Sequence, residues 1–142
     1  MQQFFTMVIK VYWIKPIILL DTSVIAGYDN VIPPKMEYCK LAFNYLRTMY
    51  YVIGIADWDL YKVIDDREIF KYYVANRWII ISPQGIKADI LLIMKAIQAD
   101  CIIVTLDKFR EHMDIIPSES WLKSHRATFD IIDGEFIIYF PN

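Results

Sequence analysis

Cysteine and histidine are scarce in this chain, two of each among 142 residues. None of them stands at zinc-ligand spacing, which sets aside a structural zinc site. Cys39, in an expected helix, and Cys101, at the head of an expected buried strand, read as free buried thiols. Positive charge is not in excess either. The net charge is −2 and the pI is near 5.6, so there is no global basic footprint for nucleic acid. Any RNA or DNA contact has to rest on a local patch or a metal ion. Long apolar runs are missing too. The apolar stretch from Phe4 to Leu20 is broken by Lys10, Lys15 and Pro16, short of the roughly 18 residues a spanning helix needs. It carries no small-residue cleavage site. The expectation is a cytoplasmic protein with no membrane partner. No repeat, low-complexity tract or linker interrupts the sequence, so one domain is expected over residues 1–142, with 1–16 as an apolar extension able to add a strand.

What the chain does have is apolar surface. Hydrophobic residues make up 56% and mean hydropathy is +0.30. A domain this short cannot hide all of it, so a homo-oligomer is expected, with Met7 to Ile14 as an edge strand that pairs with a neighbour.

The pattern along the chain alternates short apolar runs with helical spacing. Strands are expected at Ile17 to Leu20, Tyr51 to Ala56, Trp78 to Ser82 and Cys101 to Thr105. Helices are expected at Lys35 to Met49, at Asp59 to Asn76 with a break near Asp65-Asp66, and at Ile86 to Ala99. The last of these is apolar almost all round and therefore expected to be well buried. A short helix near Phe109 to Met113 and a helical turn at Trp121 to Ser124 precede two strands near 128–132 and 135–139, joined by the turn signal Asp133-Gly134. Strands alternating with helices predict a three-layer α/β domain with a mainly parallel central sheet.

In such sheets ligands bind beyond the carboxyl ends of the strands. Three of the expected strands end in or beside an acid, namely Asp21, Asp57 and Asp107, and Asp89 lies in the first turn of the helix that follows the third strand. Two carboxylates about 4 Å apart repel by roughly 4 kcal/mol at an effective dielectric near 20. Several in one cleft call for a cation, and hard oxygen ligands suit Mg²⁺ or Mn²⁺. Such ions promote phosphodiester hydrolysis without histidine or cysteine. Each acid also has an ordinary reading alone. Asp21-Thr22-Ser23 and Asp107 can cap helices, Asp89 suits a helix N-terminus, and Glu111, one turn after Asp107, can be a surface residue.

The segment Cys101-Ile102-Ile103-Val104-Thr105-Leu106-Asp107-Lys108-Phe109-Arg110-Glu111 resembles the strand-then-acid motif of PIN-like nucleases, especially the NYN-type ribonuclease domain of CCCH zinc-finger (regnase-like) ribonucleases. Asp107, Arg110 and Glu111 match its first acid, its Arg and its second acid. Ile17 to Val24 looks like that family's first strand, ending in its first acid at Asp21. Ala56 to Asp66 is similar to its second-strand exit, and Ser82 to Asp89 to the loop that carries its helix acid. Trp121 to Lys123 and Asp130 to Phe136 resemble its final helix and hairpin. The likeness runs from about residue 17 to the end. The chain departs from the pattern at Ser23-Val24 and Leu106, where the family has Asn, at Ala88, where it has a second acid, and in having no CCCH zinc finger.

The resemblance implies a PIN-like domain with metal-dependent endoribonuclease activity. It implies Asp21, Asp89, Asp107 and Glu111 as catalytic and metal residues, with Ser23 and Asp57 in support. Lys87, Lys108, Arg110, Lys123 and Arg126 cluster around the last acids and are the expected RNA contacts. The alternatives are a catalytically weak PIN-like module that binds RNA or a protein partner, and the PIN-type toxin of a toxin–antitoxin pair. His112 and His125 could assist catalysis, but with no evident partner they read as ordinary surface or half-buried residues. Trp13, Trp78 and Trp121 read as core or interface. Trp58 is set apart by its place beside Asp57. A dehalogenase-type phosphatase would want Asp-x-Asp after the first strand, where Ser23 stands instead.

Overall fold

The computed structural model describes residues 14–142. The N-terminal pairing segment from Met7, and Trp13 with it, falls outside them except for Ile14.

The first strand, β1 (Ile17–Asp21), is buried along all but its first residue. Ile18 and Leu20 enter one core and Leu19 the other, as alternation along a strand covered on both faces requires. It runs straight into a short helix, α1 (Thr22–Ala26). The chain continues through α2 (Met36–Leu46), β2 (Tyr51–Ala56), α3 (Leu60–Val63), α4 (Arg67–Ala75), β3 (Ile79–Ile81), α5 (Ala88–Ala99), β4 (Ile102–Val104), α6 (Glu119–His125), β5 (Arg126–Ile132) and β6 (Glu135–Tyr139). The break expected near Asp65-Asp66 lies between α3 and α4, where the Asp66 carboxylate accepts the Ile69 N–H at 3.1 Å and caps α4.

The six strands form one sheet in the order β3-β2-β1-β4-β5-β6. Every pairing is parallel except the terminal β5–β6 hairpin. Asp133 and Gly134 close that hairpin with φ of 52° and 75°, the two positive angles of a two-residue turn matched to strand twist. Helices α1, α2 and α4 pack on one face around Phe43, Phe70 and Tyr73. On the other, α5 packs over Leu19, Ile55 and Ile103. This is the three-layer α/β architecture with a mainly parallel sheet.

Gly54 in β2 permits the close approach on the first face. A Cβ there would stand 2.6 Å from Thr22 Oγ1, 3.1 Å from Phe43 Cζ and 3.2 Å from Ile79 Cγ1. One expectation is overturned. Helix α5 buries only the stripe Ala88, Leu92, Ile93 and Ala96, while Met94 and Ile97 stay 57% and 40% exposed. A helix in an outer layer has the sheet on one side only, so apolar residues on its far side have nothing described to pack against.

Candidate active site

Strand order decides where a site can form. From β1 the chain builds outward to β2 and β3, then returns to place β4 on the other side of β1. The direction of winding reverses between β1 and β4, and a crevice opens beyond the carboxyl ends at such a switch point. Asp21 ends β1, and Thr105 and Asp107 follow β4.

A relay of hydrogen bonds joins the two strand ends. Thr105 Oγ1 donates to Asp21 Oδ2 at 2.7 Å and accepts the Asp107 N–H at 3.0 Å. Asp107 Oδ1 accepts the Phe109 N–H at 2.8 Å, which holds a tight turn with Phe109 in the left-handed region at φ 54°. Phe109 is buried under α5 and anchors that turn. Arg126, at the start of β5, braces it from behind. Its Nε donates to the Asp107 carbonyl at 2.7 Å and one terminal nitrogen donates to the Leu106 carbonyl at 3.2 Å.

The β2 exit is tied just as firmly. The Asp57 N–H donates to Ser23 Oγ at 2.9 Å, and Asp57 Oδ1 accepts the Ala88 N–H at 3.0 Å. Asp57 thus satisfies an orphan donor at the start of α5, and Ser23 links α1 to β2. Ser23 and Asp57 together tie the β2 exit to α1 and to the first turn of α5.

Negative charge gathers at this edge. Asp21 is 1% exposed. Burial pushes its pKa from 3.8 up to about 7, with Asp89 and Asp57 adding to the rise and the Thr105 hydrogen bond opposing it. Asp89 is raised as well, first by burial and then by Asp107, against the lowering effect of His112. Among the described residues no Lys or Arg forms an ion pair with Asp21, Asp89 or Asp107. Also among them, no three His, Cys, Asp or Glu side chains stand close enough to share one ion. The donor set still fits a hard cation, because Mg²⁺ keeps several waters and commonly takes only one or two carboxylates from the protein.

Two adjoining clefts, of about 460 and 510 Å³, share Lys87, Asp89 and Asp107. The first is walled by Lys108, Arg110, Glu111 and His112, and the second by Asp57, Trp58 and Ile86. Glu111 stands at the exposed rim, its Oε2 3.4 Å from Lys87 Nζ. Lys123 lines neither cleft. It lies in the last turn of α6, whose His125 contacts Asp100 at 2.7 Å, beside the entry to β4 and not its exit.

Sequence reasoning weighed His112 and set it aside as an ordinary residue, and it did not single out Thr105. His112 Nε2 lies 3.4 Å from Asp89 Oδ2, buried and without a hydrogen-bond partner among the described residues. Nothing in its spacing pointed to a residue on another element. Thr105 had a weak signal, a hydroxyl closing an apolar strand. Cys39 and Cys101 are free and buried as expected, with burial pushing the Cys39 thiol up to about 12.

Two solved structures share this fold. A crystal structure of nuclear proteinaceous RNase P 2 (PRORP2) from A. thaliana superposes with a TM-score of 0.75 at 16% identity, covering 99% of this chain and 32% of that one. A second structure of the A. thaliana nuclear protein-only RNase P 2 (PRORP2) gives a TM-score of 0.69 at 16% identity, over 96% of this chain and 32% of that one. The chain therefore spans about a third of the length of these proteins. No family model and no curated protein matches it by sequence.

Proposed function

We propose that the chain is one PIN-like domain, of the NYN type, that hydrolyses RNA phosphodiester bonds with Mg²⁺ or Mn²⁺. The observation that carries this reading is the acidic edge at the switch point, where buried Asp21 feels the charges of Asp89 and Asp57, Asp89 feels that of Asp107, and none of Asp21, Asp89 and Asp107 is ion-paired to Lys or Arg among the described residues. Burying carboxylates beside one another without a cation is unfavourable, and a fold rarely keeps such an arrangement without use for it. One or two of Asp21, Asp89 and Asp107 would hold the ion, with waters completing its shell; when bound, the ion would activate a water and stabilise the leaving oxygen.

The chain's own groups do the rest. Thr105 fixes the orientation of the Asp21 carboxylate, and the Arg126 brace keeps Asp107 at the mouth. Lys87, Lys108 and Arg110 line the clefts where a phosphate backbone would lie. Glu111, once Lys87 turns to a phosphate, is free to orient water or hold a second ion. RNA is the substrate class that best matches the fold relatives named as RNase P 2. An assembly of two or more copies is expected from the exposed Tyr45, Met49, Tyr51, Tyr139 and Phe140.

The test is a cleavage assay on structured and single-stranded RNA with Mg²⁺, Mn²⁺ or EDTA. Cleavage that needs a divalent ion supports the reading, and its absence under all conditions overturns it. A second reading, a PIN-like module that binds RNA or protein without cutting, is favoured by the lack of any three ligands poised around one point among the described residues. In that case a thermal melt would not respond to Mg²⁺ or Mn²⁺.

A further inference from the structure

Trp58 follows Asp57 directly, so the bonds that fix Asp57 to Ser23 and Ala88 also fix where Trp58 leaves the sheet. Its ring lines the larger cleft together with Val24, Ile86, Asp89 and Asp107. Lys62, one turn on in α3, holds its Nζ 4.3 Å from the ring centroid, a cation–π distance. The other described tryptophans are packed elsewhere. Trp78 is boxed by Tyr72, Tyr73 and Arg47, and Trp121 is stacked on His125 at 4.3 Å. Trp58 has no aromatic partner among the described residues, is half-buried, and faces the acids.

We propose that Trp58 and Lys62 form the subsite for one unpaired nucleotide beside the phosphate held at the acidic edge. This rests on the reading of that edge as an RNA phosphodiester site. The chain carries a net charge of −2, so bulk electrostatics do not hold RNA against an acidic cleft. An indole stacks on any base through its π-face, whatever the sequence. The Lys62 ammonium brings positive charge to the same rim, where the nucleotide's phosphate arrives. A base inside a duplex is already stacked on its neighbours and cannot lie on the ring without being unpaired, so the subsite selects single-stranded RNA or a loop.

The experiment measures binding of a short labelled single-stranded RNA and of a blunt RNA duplex in EDTA, for the parent and for Trp58→Phe, Trp58→Leu and Lys62→Gln. Losing a base–aromatic stack lowers affinity by roughly 5- to 150-fold. Trp58→Leu keeps apolar bulk but not the π-face, so it weakens the single strand by that factor and leaves duplex affinity within about twofold. Trp58→Phe keeps most of the affinity. Because stacking is not ionic, Trp58→Leu leaves the salt dependence of single-strand binding unchanged, whereas Lys62→Gln flattens its log–log slope by about 0.7. Trp58→Leu binding the single strand as tightly as the parent overturns the proposal, and so does an equal loss on single strand and duplex. If the parent cleaves RNA while Trp58→Leu is unaltered, only the subsite falls. If the parent neither binds nor cleaves RNA, the nuclease reading falls and takes the subsite with it.

Discussion

Replacing Asp21 with Asn tests the electrostatics of the acidic edge without an activity assay. The side chain keeps its size, and its carbonyl oxygen can still accept from Thr105 Oγ1, which now donates to Asp21 Oδ2 at 2.7 Å. What is lost is a buried charge whose pKa in the folded protein is about 7 against an ordinary 3.8. Below 3.8 both folded and unfolded chains hold the proton, and the residue does not affect stability. Between 3.8 and 7 the unfolded chain ionises while the folded one stays protonated, so stability falls as pH rises. Above 7 both are ionised and the full penalty persists. A rise of about three pKa units corresponds to about 4 kcal/mol at about 1.4 kcal/mol per unit. The Asn variant should therefore match the parent near pH 4 and be more stable by up to about 4 kcal/mol at pH 8, a gain of order 10 °C in Tm for a domain of this size. Urea or thermal unfolding in EDTA at several pH values measures it. Excess Mg²⁺ or Mn²⁺ should raise the parent's stability above pH 7 by mass action and leave the variant's nearly unchanged. A variant no more stable than the parent at pH 8, or a gain equal at pH 4 and pH 8, would refute the reasoning.

Asp107→Asn should abolish metal-dependent RNA cleavage with the fold intact by circular dichroism, since Asn can still accept the Phe109 N–H now bound at 2.8 Å; cleavage at the parent's rate would make Asp107 structural. Arg126→Gln should destabilise the fold by about 1–3 kcal/mol by leaving the Leu106 and Asp107 carbonyls short of donors, and should slow cleavage with little change in the salt slope of RNA binding, which separates a brace from a phosphate contact. Lys108→Glu with Arg110→Glu should weaken RNA binding and flatten its salt dependence, whereas Lys123→Glu, outside both clefts, should do neither in a parallel titration. Gly54→Ala should cost about 1–3 kcal/mol in urea unfolding, because the new methyl would sit 2.6 Å from Thr22 Oγ1; a neutral result would mean that α1 shifts freely.

The sequence by itself determined those features whose causes lie within a few residues. Four apolar runs, three of them ending in or just before an acid, marked the parallel strands and placed Asp21, Asp57 and Asp107 at their carboxyl ends. Asp133-Gly134 marked the hairpin because its two positive φ angles suit Asp and Gly. The Asp65-Asp66 pair marked a helix break because a carboxylate caps the next turn. Tertiary structure alone decided which strands became neighbours, and so that the crevice opens between β1 and β4. It also chose partners far apart in the chain. Arg126 went to the carbonyls beside Asp107, His112 to Asp89, Glu111 to Lys87, and Asp57 to the first turn of α5. The exposed side of α5 was hidden from the sequence for the same reason, since periodicity reports how apolar a helix is but not how many layers cover it. Local preference acts over a turn or a strand. Long side chains and buried charges settle by what the packed sheet brings within a few ångströms of them, and no short stretch of sequence contains that information.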